Sequence, residues 1–134
     1  AANLNGANLS HANLKRAQLA HANLSEADLS GANLEVALLG SANLRKANLS
    51  GANLDCVSLG NTKLDGAILQ GAILTEVFMG GTDLRNTDLR AVNMDRVSYD
   101  ESTEWPSGFD PVAAGARFFK EDNDDSWRLH DPGY

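Results

Sequence analysis

Leu recurs at every fifth residue from Leu4 to Leu74 and returns at Leu84 and Leu89; Met79, Met94 and Tyr99 hold the same register. Two residues ahead of each stands Ala, Val or Thr, from Ala2 to Val97 without a gap. The result is twenty consecutive five-residue units with no insertion. A period of five fits neither regular element. It sweeps around an α-helix, whose apolar positions must recur three and four apart, and it breaks the alternation of a plain strand. It calls instead for a short extended piece followed by a corner, over and over. Leu and the preceding small residue point inward, and the residues between them turn the chain. Gly6, Gly31, Gly51, Gly66, Gly71 and Gly81 all stand two after the large residue, where a corner is expected.

The segments "AANL", "GANLS", "SANLRKANLS" and "GTDLRNTDLR" resemble the pentapeptide-repeat family, written roughly A(D/N)Lxx, and the resemblance covers residues 1–100. It implies an all-β solenoid: a right-handed quadrilateral β-helix with four units per square coil, hence five coils. The inward ladders would then be Leu4–Leu84, Leu9–Leu89, Leu14–Met94 and Leu19–Tyr99, each in steps of twenty. With strands about 4.8 Å apart, the stack would be roughly 24 Å long. Its interior is filled with side chains, which excludes an axial channel. Thr62, Thr82 and Thr87 put hydroxyls at Ala positions, and each needs a buried acceptor, a backbone carbonyl at a corner being the nearest.

Asn or Asp precedes the Leu in most units, a period-locked choice that reads as corner stabilisation by side-chain hydrogen bonds. Four apolar residues break that column: Leu38, Ile68, Ile73 and Phe78. Outward apolar groups on a narrow solenoid mark a docking surface, for the chain's own tail or for a second chain.

The repeat stops after Tyr99, so we divide the chain into a β-helix over 1–100 and a capping segment with an acidic tail over 101–134. An open solenoid end needs a cover. Trp105, Phe109, Phe118 and Phe119 supply the apolar area, with Tyr99 beginning the closure. Pro106 and Gly108 mark a turn, and Asp110–Pro111 reads as a helix cap opening a short helix of about two turns. The stretch "WPSGFDPVAAGA" resembles the segment that follows the repeats in cyanobacterial members of the family. "KEDNDDSWRLHDPGY" is polar and acidic, with Trp127 and Tyr134 available to lie along a coil.

Charge and candidate chemistry narrow the function. The formal net charge is -7. Residues 1–100 carry eight Lys/Arg and ten Asp/Glu, a net of -2, and residues 101–134 carry three and eight, a net of -5. Some family members resemble DNA in shape and charge and protect DNA gyrase from quinolones. That reading asks for a strongly acidic face on a long dimeric rod, whereas Arg45, Lys46, Arg85, Arg90 and Arg96 interrupt this surface. It stands as the alternative. No basic stripe or aromatic platform suits direct nucleic-acid binding. His11, His21 and His130 lack neighbours at metal-ligand spacing, and Cys56 lacks a base, so no metal, cofactor or catalytic residue is assigned. Arg45, Asp65 and Arg85 share an outward column, as do Lys15 and Glu35, and read as register and solubility devices. The leading reading is a non-catalytic structural or protein-interaction scaffold with an unidentified protein partner, a monomer or weak homodimer. No apolar run is long enough to insert in a membrane. Ala1 falls inside a repeat and no initiator Met precedes it, which predicts a fragment or a processed chain. The compartment is unassigned: the cytoplasm is favoured, with a lumen or periplasm the alternative where a targeting segment has been removed.

Overall fold

The computed structural model describes residues 1–120. Each repeat unit contributes one straight position and one two-residue corner, and parallel bridges join positions twenty apart. One series runs Asn3, Asn23, Asn43, Lys63, Asp83; the others start at Asn8, Asn13 and Gln18. Twenty residues therefore make one turn of a solenoid, with four short straight pieces and four corners. The bonds along the axis are short: Leu24 N–H donates to the Asn43 carbonyl at 2.7 Å, and Asn43 N–H to the Ala22 carbonyl at 2.9 Å. We number the turns by their windows, 1–20 to 81–100.

Corners close by an i to i+3 bond, as from Ala27 N–H to the Leu24 carbonyl at 3.1 Å. The second corner residue has positive φ in every unit from Gly6 to Arg96. This is the φ signature of a type II turn, which favours glycine. Most of these positions hold other residues, Val36 at φ 61 among them. A left-handed L-residue costs about 1–2 kcal/mol. The stack offsets it, because the same residue's N–H bonds to the next turn, as Val36 N–H does to the Asp55 carbonyl at 2.9 Å.

The core is the column of inward side chains. Leu24 through Leu69 at five-residue steps are all sealed from water, with Ala22 through Ala52 filling the space between them. Burying each Leu contributes roughly 1.5–3 kcal/mol. The three buried hydroxyls find their carbonyls: Thr62 to Leu39 at 2.8 Å, Thr82 to Leu59 at 2.8 Å and Thr87 to Leu64 at 2.7 Å.

The axial pairing does not stop at Tyr99. Asp83 pairs with Glu104, an offset of 21, and strand β1 (Ser98–Tyr99) pairs in parallel with β2 (Arg117–Phe118), an offset of 19. The extra residue is absorbed at Asp100–Thr103. There the Asp100 carboxylate accepts from Ser102 N–H at 3.0 Å, the Ser102 hydroxyl at 2.6 Å and Gly81 N–H at 3.1 Å. Thr103 then repeats the Thr motif, donating to the Met79 carbonyl at 2.8 Å. Trp105 follows two residues later, as Leu84 follows Thr82.

The short helix expected after Asp110 does not form; no helix occurs among the described residues. Both caps are present, but they meet. Asp110 Oδ1 accepts from Ala113 N–H at 3.1 Å, an N-cap bond. Gly115, at φ 105, terminates the turn, with Ala116 N–H on the Pro111 carbonyl at 2.9 Å and Gly115 N–H on the Val112 carbonyl at 3.0 Å. That pair is a Schellman closure. Only one turn fits between the caps, and Arg117–Phe118 is drawn into pairing with β1 instead.

Candidate interaction surface

The outward Asn and Asp residues stabilise corners. In one repeat unit after another the side-chain Oδ1 accepts the backbone N–H two residues on: Asn23 from Ser25 at 3.1 Å, Asn48 from Ser50 at 3.0 Å, Asp83 from Arg85 at 3.1 Å. Leu38, Ile68, Ile73 and Phe78 cannot make this bond. Leu38, Ile68 and Ile73 are 47%, 47% and 49% exposed. Ile68 and Ile73 stand on adjacent faces of the fourth turn, on either side of the bare corner at Gly71. Val36 is a further exposed apolar residue, two before Leu38; its place at a second corner position was the available signal.

Phe78 behaves differently. It is half-buried, its ring lies against Gly60 and Gly80, and a Cβ on Gly80 would strike it. Phe119 meets its edge, with centroids 6.0 Å apart. The other aromatics cluster at the end of the stack. Tyr99 meets Trp105 at 5.3 Å and Phe118 at 5.5 Å, both edge-on, and Trp105 stacks on Phe109 at 5.3 Å. Trp105 and Phe109 pack against the core, while Phe118 and Phe119 stay over 40% exposed. The Trp105 indole N–H is buried with no partner among the described residues. Trp127 and Tyr134 lie outside the described residues.

Charged residues pair along the axis and within corners. Lys15 meets Glu35 at 3.7 Å, Arg45 meets Asp65 at 2.9 Å and Arg96 meets Glu76 at 3.3 Å. Arg85 turns away from Asp65 to Asp83 at 2.9 Å and Glu104 at 3.0 Å. The Arg90 guanidinium, 2.8 Å from Asp88, holds that carboxyl down at about 2. Cys56 is exposed, with Sγ 3.4 Å from Asp55 Oδ1. The Asp55 carboxylate, helped by Glu76 and Glu35, pushes its thiol up, the opposite of what a nucleophile needs.

Two surface hollows stand out among the described residues. One, of 520 Å³, is lined by Asp65, Arg85, Asn86, Trp105 and Ser107, where Asp65 and Arg85 are already ion-paired. The other, of 230 Å³, opens beside Ile73. Neither lining joins a nucleophile to a base. Among the described residues no group of three or more His, Cys, Asp or Glu is placed to hold a metal ion, and no helix is long and apolar enough to cross a membrane.

Fold and surface together define a parallel β-solenoid that presents side chains rather than a reaction centre. The chain belongs to the pentapeptide-repeat family, whose signature, pentapeptide repeats, matches residues 1–35, 37–71, 52–90 and 69–98. Among solved structures it is similar to the pentapeptide repeat protein Rfr23 from the cyanobacterium Cyanothece 51142. That match has 35% identity over 69% of this chain and 63% of the other, with a TM-score of 0.68. It shares its fold with QnrB1, a plasmid-mediated fluoroquinolone resistance protein, at 22% identity over 87% of this chain and 59% of the other, with a TM-score of 0.64. The chain thus spans less than two thirds of either relative's length. No curated protein matches it.

Proposed function

We propose that this chain is a rigid, non-catalytic protein-binding scaffold, and that Leu38, Ile68, Ile73 and Phe78 form its contact surface. One observation carries the reading. At these positions the fold asks for Asn or Asp, whose corner bond contributes roughly 0.5–1.5 kcal/mol. Ile68 and Ile73 forgo that bond and leave about half their surface in water. Folding alone recovers only the buried half of each side chain, whereas an apolar partner surface would recover the rest. Phe78 is served by Phe119 from the chain's own tail segment, so Leu38, Ile68 and Ile73 are the residues left for a second chain. In this reading residues 1–100 make five right-handed square coils, residues 101–134 cap the stack and extend it with an acidic tail, and the protein is a monomer or weak homodimer.

The test uses Ile68→Asn with Ile73→Asn. Restoring the corner residues should hold or raise the melting temperature. It should also abolish capture of the partner that the unaltered chain retains from its source cell. Undiminished capture would remove these residues from the interface.

A second reading, topoisomerase binding by DNA mimicry, is supported by the fold shared with QnrB1 and by Glu35, Asp55, Glu76 and Asp95 along one corner. Lys15, Arg16 and Arg96 share that corner and oppose it. Inhibition of gyrase supercoiling at low micromolar protein would favour this reading; its absence would leave the scaffold with another partner.

A further inference from the structure

Between the fourth and fifth turns the axial ladder holds on two faces, loosens on a third and is lost on the remaining one. On the first face Leu64 N–H donates to Asp83 at 2.8 Å and Asp83 N–H to Thr62 at 3.0 Å. On the last, Met79 N–H donates to Ser98 at 2.7 Å and Ser98 N–H to Val77 at 3.0 Å. On the second face Ile68 and Asp88 stay aligned, but among the described residues no short backbone bond links them. On the third even the alignment is lost. Ile73 bonds downward to Ala52 at 2.9 Å and accepts from Leu54 at 2.8 Å, yet among the described residues no backbone bond joins Ala72 or Leu74 to Asn93. Among the described residues the corner N–H groups of Gly66, Gly71 and Glu76 lack the carbonyls that Lys46, Gly51 and Cys56 bond one turn below. The 230 Å³ cleft is this gap, with Ala72, Ile73 and Leu74 on its lower lip and Asn93, Asp95 and Arg96 on its upper one.

The interior explains the gap. In the fourth turn the inward small positions are Thr62, Ala67, Ala72 and Val77; in the fifth they are Thr82, Thr87, Val92 and Val97, so β-branched residues newly overlie Ala on the second and third faces. A β-branched side chain over a slot sized for Ala crowds its neighbours, and the stack absorbs this only where the side chain is fully seated, as Val57 and Thr62 are. Thr87 is anchored to the Leu64 carbonyl, which keeps the second face in line. Val92 has no such anchor. It is only partly buried, and Ala72 beneath it is 8% exposed where Ala22 to Ala52 are at most 1%.

We propose that residues 88–96 form a strap poised to close. It is hinged on the first and last faces, tethered across the gap by the exposed Arg96–Glu76 pair, and propped open by Val92. Closing pairs Asn93 with Ala72 and Leu74, in the register that Ile73 holds with Ala52 and Leu54. The strap stands whether or not Ile73 meets a partner.

Amide hydrogen exchange on the full chain tests this. In the unaltered protein, Leu74 and Asn93 should exchange at least about tenfold faster than Leu54 and Ile73, their equivalents one turn below. Val92→Ala should remove the prop and slow Leu74 and Asn93 about tenfold while Leu44 is unchanged. Equal protection of Leu74 and Leu54 in the unaltered protein overturns the proposal, as does a folded Val92→Ala variant in which Leu74 gains nothing. Should Val92→Ala fail to fold, paired cysteines on a Cys56→Ser background decide. Ile73→Cys with Asn93→Cys should oxidise more slowly than Asn53→Cys with Ile73→Cys, and equal rates contradict an open strap.

Discussion

Val36 shows how the stack overrules local preference. A β-branched residue at φ 61 is strained, and its side chain is exposed, so nothing in the core holds it there. Val36→Asn should therefore stabilise the protein by ~1 kcal/mol, since Asn tolerates the left-handed region. A denaturant midpoint that falls would show that Val36 makes a contact worth more than its strain. Gly80 poses the reverse case. Its backbone is ordinary, but a Cβ there would meet the Phe78 ring and stand 2.8 Å from Asp100 Oδ2. Gly80→Ala should cost about 1–3 kcal/mol. In a Phe78→Ala background that cost should shrink, and a double-mutant cycle in urea measures the difference. Strict additivity would place Phe78 away from the glycine.

At the scale of elements, the capping segment continues the solenoid with altered spacing. Thr103 and Trp105 repeat the Thr82–Leu84 motif one residue late, and that slip hid them from a strict count of fives. The opening cap of the turn at 110–116 was legible as Asp110–Pro111, but not its closing cap, Gly115. A Gly at C′ ends a helix, and Gly115 stands so close behind Asp110 that a second turn has no room. Trp105 carries a buried indole N–H without a partner among the described residues, which costs about 1–3 kcal/mol. Trp105→Phe should thus be close to neutral in melting temperature despite its smaller ring. A large loss would mean that a water or a tail residue serves the N–H.

The Asp100 turn adds a pH dependence. Burial pushes its carboxyl up, but the hydrogen bonds from Ser102, Gly81 and Thr103 outweigh it and leave the folded value below the ordinary one. A depressed folded pKa gives stability that is complete above the unfolded value, near 3.9, and is lost as pH falls through the folded value. Stability should therefore decline as pH drops below about 4, and Asp100→Asn should flatten that slope. An unchanged slope in Asp100→Asn would assign the acid sensitivity to other carboxylates.

For the whole molecule, the twenty-residue pitch was readable because inward Leu and corner Asn obey the same count. The outward breaks were readable for the same reason: Ile68 and Ile73 stand out only against a faithful column. The gap above Ile73 was not. It depends on Val92 standing partly buried and unanchored over Ala72, and β-branched residues at other Ala positions are tolerated, as Val57 and Thr62 are. A pitch of twenty is the claim on which surface, cap and strap all rest. Nitrogen-edited nuclear Overhauser spectra of the full chain test it most directly. The account predicts cross-strand contacts between residues twenty apart, such as Asn33 with Asn53, and an offset of 19 from Ser98 to Arg117. Contacts three and four residues apart along 1–100, without the twenty-residue series, would contradict it.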